Sequence, residues 1–179
     1  MSKTTTRTYK RRLLKWLETP VTDSERDIAN TWYMEAQTEA QNIANGLDTT
    51  LEVGACIIAA FSPRNRWSKN IEYAHNYERG IPVPGLSMWT TMADASVVHG
   101  FDALRGPKTN AFARNIAGDH DAVTIDVWMA RAAGLSDDTP TIVQYRRVSD
   151  AVRSIAKQFD MTPAAMQALI WCRIRGKAE

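Results

Sequence analysis

The sequence predicts an all-α fold. Apolar residues recur at helical three- and four-residue intervals in almost every segment. Capping residues open these segments, and Gly or Pro closes them after about ten to twenty residues. Alternating β-branched runs of the kind that form strands are scarce. With 179 residues, 44% of them hydrophobic, the chain is long enough for one domain with a packed core and too apolar for disorder.

The elements follow in order. Residues 1 to 6 are rich in Ser, Thr and Lys and read as loose. Arg7 to Leu17 makes a basic amphipathic helix with Leu13, Leu14, Trp16 and Leu17 for packing, stopped by Thr19-Pro20. A helix of this kind suits DNA, but more often it caps a domain with its charged face in solvent. Thr22 and Glu25 stand in capping-box spacing and start a helix that runs to Asn45, with Gly46 beyond it. Its inner face is Ile28, Trp32, Ala36, Ala40 and Ile43. Leu51 to Phe61 is too apolar for periodicity to decide, but Gly54, Ala55, Ala59 and Ala60 favour a buried helix with close neighbours.

Ser62-Pro63 ends that helix, and Ser68 to Arg79 forms the next. Gly80 to Gly85 is a Pro/Gly connector. Leu86 to His99 carries one or two short helices, since Ser87 and Asp94 both suit N-caps. After Gly134, Ser136 to Pro140 is a polar loop. Thr141 to Phe159 is a long helix with Val143, Val148, Val152, Ile155 and Phe159 inward. Thr162 as N-cap and Pro163 at the first helical position open the last helix, whose packing stripe is Ala165, Leu169 and Cys172.

Residues 104 to 134 carry the chemistry. Gly106-Pro107 makes a tight turn, because Gly tolerates positive φ and Pro fixes its own. Lys108 sits in the first turn of a helix that reaches Ala117, and Gly118 ends it. After Asp119-His120-Asp121 and the extended run Val123-Thr124-Ile125, Asp126 stands before a second helix, Val127 to Ala133, closed by Gly134. Eighteen positions separate Lys108 and Asp126, and each is at a helix start. That place suits Asp126, which can cap free N–H groups, and disfavours an ammonium on Lys108. An amine there, shielded from water beside a carboxylate, is what an amine nucleophile needs. The plainer reading is an N-cap and a solvated lysine.

Charge and cysteine content narrow the classes little. Net charge is +2 and the sequence pI is 8.6, too weakly basic to show nucleic-acid binding by itself. The distribution is clustered: Lys10, Arg11, Arg12 and Lys15, then Arg64, Arg66 and Lys69, then Arg173, Arg175 and Lys177. Cys56 and Cys172 look like buried thiols of an intracellular protein, and two cysteines cannot hold a four-cysteine iron–sulfur cluster. His75, His99 and His120 lack zinc spacing. No metal or organic cofactor is implied. No long apolar segment marks a secretion signal or membrane span, so a cytoplasmic protein is expected. Most of the six Trp are expected in the core, with one or two as stacking surfaces.

Leu104, Gly106 and Lys108-Thr109, followed by Ile125-Asp126-Val127, resemble the helix-hairpin-helix (HhH-GPD) DNA glycosylase superfamily of the endonuclease III and 8-oxoguanine glycosylase type. The resemblance spans about residues 25 to 175 and implies two helical lobes with the hairpin and the Asp-bearing helix at a cleft between them. Leu104-Arg105-Gly106-Pro107 departs from the family's Gly-hydrophobic-Gly hairpin, which holds a phosphate or cation in its backbone nest. By resemblance Lys108 is the amine nucleophile and Asp126 the carboxylate that activates it. Arg105, Gly106 and Thr109 belong to the DNA-binding hairpin. The loop SPRNRW, residues 62 to 67, resembles the family's DNA-facing loop, so that Arg64, Asn65 and Arg66 are DNA-binding residues, with Arg64 or Asn65 filling the gap left by a flipped nucleotide or touching its partner base. A surface turn with solvated arginines fits it equally well. Trp67, Trp89 and Trp128 are candidates for the base pocket, Trp128 above all because it lies two residues from Asp126.

The implied function is base excision from double-stranded DNA carrying a damaged or modified base, with a Schiff-base lyase step, by a cluster-free, nucleoid-associated monomer. Two alternatives stay open. One is a glycosylase-fold enzyme of modified-base or nucleotide metabolism, as in viral DNA hypermodification. The other is a DNA-binding module without chemistry, in which Lys108 is only a phosphate contact.

Overall fold

The computed structural model describes residues 5–83, 85–136 and 139–176. The first four residues, Pro84 of the connector, Asp137 and Asp138 of the polar loop, and Lys177 of the C-terminal basic cluster lie outside the described residues. Among the described residues there are nine α-helices and no strand, so the chain is all-α. They are α1 (Thr6–Leu14), α2 (Asp23–Gly46), α3 (Leu51–Phe61), α4 (Trp67–Glu78), α5 (Ser87–His99), α6 (Pro107–Ile116), α7 (Val127–Ala132), α8 (Ile142–Gln158) and α9 (Pro163–Arg175). Single 3-10 turns follow α1 and α5. No single described helix is long and apolar enough to cross a membrane.

The chain forms two compact units, one of Met1–Trp32 with His120–Ala178 and one of Tyr33–Asp119, and α2 contributes to both. In the Tyr33–Asp119 unit, α4, α5 and α6 all pack on α3. Every residue of α3 from Val53 to Phe61 is buried, which explains why its sequence shows no polar face. The crossing with α2 is close enough that a Cβ on Gly54 would collide with the Ala40 carbonyl oxygen. In the other unit α8 packs on α1 and α9, and α7 packs on α9. Buried Tyr9 and Leu13 anchor α1. Lys10 Nζ donates to Ser154 Oγ at 2.8 Å, and Arg12 Nη1 donates to the Ala133 and Gly134 carbonyls at 3.2 and 2.9 Å. Part of the N-terminal basic cluster is therefore structural.

Several local expectations shift. The inner stripe of α2 is Ala29, Tyr33, Ala36, Ala40, Ile43 and Ala44, while Ile28 is exposed. Ile28 lies one residue before the buried stripe, which begins at Ala29. Asp94 does not divide α5; instead its carboxylate accepts the Tyr77 hydroxyl at 2.8 Å. Val143 is exposed because packing on α8 begins at Tyr145, behind a capping box of Thr141 and Gln144. Cys56 is buried, and that burial pushes its thiol up to about 12, but Cys172 is only half-buried. None of the six Trp is buried. Alanine fills much of the core in their place.

Arg173 on α9 joins three stretches of its unit. Its Nε and Nη2 donate to the two Glu25 carboxylate oxygens at 2.8 Å each. Nη1 reaches the Trp16 and Thr19 carbonyls at 2.8 and 3.1 Å, and Nη2 reaches the Pro20 carbonyl at 3.0 Å. Glu25 also completes the expected capping box, accepting the Thr22 N–H at 2.9 Å while its own N–H reaches Thr22 Oγ1 at 3.2 Å. Hydrogen bonds from Arg173 and then Thr22 lower the Glu25 carboxyl from 4.5 to about 2. A depressed acid stabilises the fold fully above its unfolded value and loses that contribution as pH falls through its folded one. Arg173→Ala is expected to lower unfolding free energy by about 1–3 kcal/mol, read by circular dichroism in urea, because it removes hydrogen bonds to a carboxylate and to three carbonyls. Between pH 4.5 and about 2 the variant should lose less stability than the wild type.

Candidate functional site

The Lys108 region is built from three polar anchors. The left-handed turn before α6 is made by Gly100, with φ 53°, where a Cβ would collide with the Glu52 carboxylate. That carboxylate accepts the Phe101 N–H at 3.0 Å. Asn110 of α6 reaches back, its Nδ2 donating to the Phe101 and Leu104 carbonyls at 2.9 and 3.2 Å. Arg114 donates to Asn110 Oδ1 at 2.9 Å and lies 4.5 Å over the Phe101 ring. Leu104 is buried and fixes the apolar side of the connection. Gly106 differs from expectation. Its φ of −76° and ψ of 129° are ordinary extended backbone, and it serves as the N-cap of α6 with Pro107 at the first helical position. Arg105 and Gly106 are exposed, and Thr109 is half-buried.

Lys108 is half-buried, and its Nζ donates to Ser62 Oγ at 3.4 Å. Ser62 is the C-cap of α3, and its hydroxyl donates in turn to the Ala59 carbonyl at 2.9 Å. The amine thus starts at the positive end of α6 but reaches the carbonyl end of α3, where a cation is favoured. Sequence placed it in the first of these fields only. The same contact joins Lys108 to the 62–67 loop. Asn65 Nδ2 closes α3 by donating to the Phe61 carbonyl at 2.7 Å. Arg64 and Arg66 are exposed, Trp67 is half-buried, and Arg64 sits at φ 63°. A left-handed arginine costs about 1–2 kcal/mol.

Asp126 lies in the other unit. It caps α7 as expected, its Oδ1 accepting the Met129 N–H at 2.9 Å. Its Oδ2 accepts the Trp171 Nε1–H at 2.9 Å. The buried extended run Val123–Ile125 delivers it. Tyr145 of α8 holds that run, its hydroxyl donating to the Val123 carbonyl at 2.8 Å and accepting the Ile125 N–H at 3.1 Å. Burial pushes the Tyr145 phenol up to about 12, so it stays a donor at neutral pH. Trp128 is half-buried, and the guanidinium groups of Arg131 and Arg175 lie 5.3 and 5.2 Å from its ring centroid. Arg175 also lies 5.1 Å from the Trp171 ring. Trp89 is half-buried.

Sequence reasoning found Lys108 and Asp126 but missed Ser62, Tyr145, Trp171 and Arg175 as their surroundings. Trp171 and Arg175 stand one helical turn apart, a spacing that signals an aromatic–cation pair on one face. The Tyr145 contact left no signal, because a tyrosine in a helical stripe looks like any core residue. Among the described residues, no group of three or more His, Cys, Asp or Glu is placed to hold a metal ion.

Two substitutions test this construction. Arg64→Gly should relieve the backbone strain and raise stability by about 1 kcal/mol, measured by urea denaturation. Tyr145→Phe should lower it by about 1–3 kcal/mol, since the hydroxyl serves a buried carbonyl and a buried N–H at once.

Among curated proteins and solved structures nothing matches this chain. A family of unknown function, DUF7178, matches residues 1–178, and the chain belongs to that family.

Proposed function

We propose that the chain is a DNA base-excision glycosylase with a Schiff-base lyase step, acting on a flipped damaged or modified base. One observation carries this reading. Lys108 opens α6 directly after the 104–106 connection, and Asp126 caps the next helix, α7. The order of lysine-bearing helix followed by an aspartate-capped helix agrees with the resemblance to the glycosylases, although Gly106 does not make the expected hairpin turn.

Base excision breaks the N-glycosidic bond at C1′ of the sugar. The base leaves with the bonding electron pair and acquires a proton, and positive charge develops on the sugar. The Asp126 carboxylate balances that charge electrostatically. The Lys108 amine, once deprotonated, attacks C1′ and then gives up a proton; its lone pair opens the C1′–O4′ bond, O4′ takes up a proton, and the Schiff base is left at C1′. Loss of a C2′ proton then expels the 3′ phosphate and cuts the strand. Arg64, Asn65, Arg66, Arg105, Gly106 and Thr109 are the proposed DNA contacts, with Trp67 and Trp128 as the proposed base-facing aromatics.

A second reading, a DNA-binding module without chemistry, is favoured by a different observation. Arg64, Arg66 and Arg105 are exposed in the same unit as Lys108, a cationic set that needs no reaction to explain it. Incubation with a panel of lesion-bearing and modified duplexes, scored for base release and strand scission, separates the two. For an active wild type, Lys108→Ala should abolish borohydride trapping on DNA, and Asp126→Asn should slow single-turnover base release about 100- to 1000-fold. Trapping that survives Lys108→Ala removes the nucleophile. For a binding module, Lys108→Ala should instead weaken binding to all duplexes alike and reduce the salt slope by about one.

A further inference from the structure

Helix α7 is six residues long, too short to hold its own direction. What fixes Asp126 must therefore come from its neighbours. The N-cap bond from Met129 engages Oδ1 at 2.9 Å and leaves the carboxylate plane able to turn about that oxygen. The Trp171 Nε1–H engages Oδ2, also at 2.9 Å, from α9. Two donors on two oxygens define the plane. The indole is itself held, because Arg175, one turn further along α9, lies 5.1 Å from its ring and 5.2 Å from that of Trp128 on α7. Arg131 on α7 adds a second guanidinium 5.3 Å from Trp128. The two helices are thus joined by alternating indole and guanidinium groups, with the Asp126–Trp171 hydrogen bond at the end.

We propose that Trp171 is a positioning residue for Asp126, orienting its carboxylate through the indole N–H, with Arg175 and Trp128 as the brace that holds the indole in place. An indole nitrogen only donates, so Oδ2 must present a lone pair to it. Oδ2 of Asp126 accordingly acts as the acceptor of this bond, and the direction of the carboxylate is set by it. In this arrangement Trp128 is a rung of the brace as well as an aromatic next to the site. The catalytic meaning of this role rests on the glycosylase reading; the hydrogen bond does not.

The test has two arms on the full-length protein. The first is spectroscopic. The Trp171 indole resonance is identified by its loss in Trp171→Phe. Asp126→Ser keeps an N-capping hydroxyl but is too short to meet the indole. It should speed solvent exchange of the Trp171 indole proton at least about 10-fold relative to the other indoles, because the proton loses its acceptor. Unchanged exchange overturns the proposal. The second arm uses whichever duplex the wild type acts on. Trp171→Phe keeps an aromatic ring for Arg175 and removes the donor. It should lower the single-turnover rate about 10-fold, with DNA affinity and Tm near those of the wild type. A rate equal to wild type overturns the positioning role, as does a rate loss that merely follows a fall in Tm. A wild type that releases no base from any duplex defeats the glycosylase reading alone, and the exchange arm then decides the role of Trp171 by itself.

Discussion

A helix buried on every side must find room for its neighbours and settle its polar ends locally, and α3 meets both conditions. Small residues such as Ala55, Ala59 and Ala60 alternate with Ile57, Ile58 and Phe61 along it, and Gly54 lets it cross α2 at backbone contact. Both its ends are tied to the segment that carries Lys108. At the start, the Glu52 carboxylate takes the Phe101 N–H and fills the space beside Gly100. At the end, Ser62 meets the Lys108 amine. The core helix and the candidate nucleophile are therefore parts of one arrangement. A change at α3 that moved its axis would move both anchors of the 100–108 segment together.

The other unit solves a different problem. A short helix offers few backbone hydrogen bonds, so its direction comes from packing. Tyr145 secures the chain entering α7, Arg12 takes the carbonyls leaving it, and α9 supplies the indole that meets Asp126. Three separate helices are thus spent on orienting six residues. A helix cap needs only one acceptor oxygen, so the second bond to Asp126 exceeds what capping alone calls for. That excess is the structural feature that sets Asp126 apart from Thr50, Thr141 and Thr162, which cap their helices through a single oxygen.

Much of the helical order was legible because its signals are local. Thr22 with Glu25, Thr162 with Pro163, and Asp126 before α7 each announce a helix start within four residues. Gly54 and its alanine neighbours indicated a buried helix, because a strand gains nothing from such small side chains. Illegible were the choices made by distant partners. Asp94 looks like a cap in sequence and is drawn to Tyr77 in space. Gly106 looks like the turn glycine, while the left-handed turn falls at Gly100, where Glu52 from another helix closes the space. For the candidate site, the two ionisable residues were visible at their helix starts. The end of α3 that faces Lys108 was not, nor was the indole that faces Asp126, because neither follows from spacing.

Alanine is the most frequent residue of the core, while the tryptophans sit at its margin, from half-buried Trp171 to Trp16 at 38% exposed. Indole emission from this protein should consequently carry little information about how tightly the interior is packed. It should respond instead to what arrives at the rim. Trp128 and Trp171, each lying against a guanidinium, form an intrinsic optical reporter on the neighbourhood of Asp126 that needs no added label.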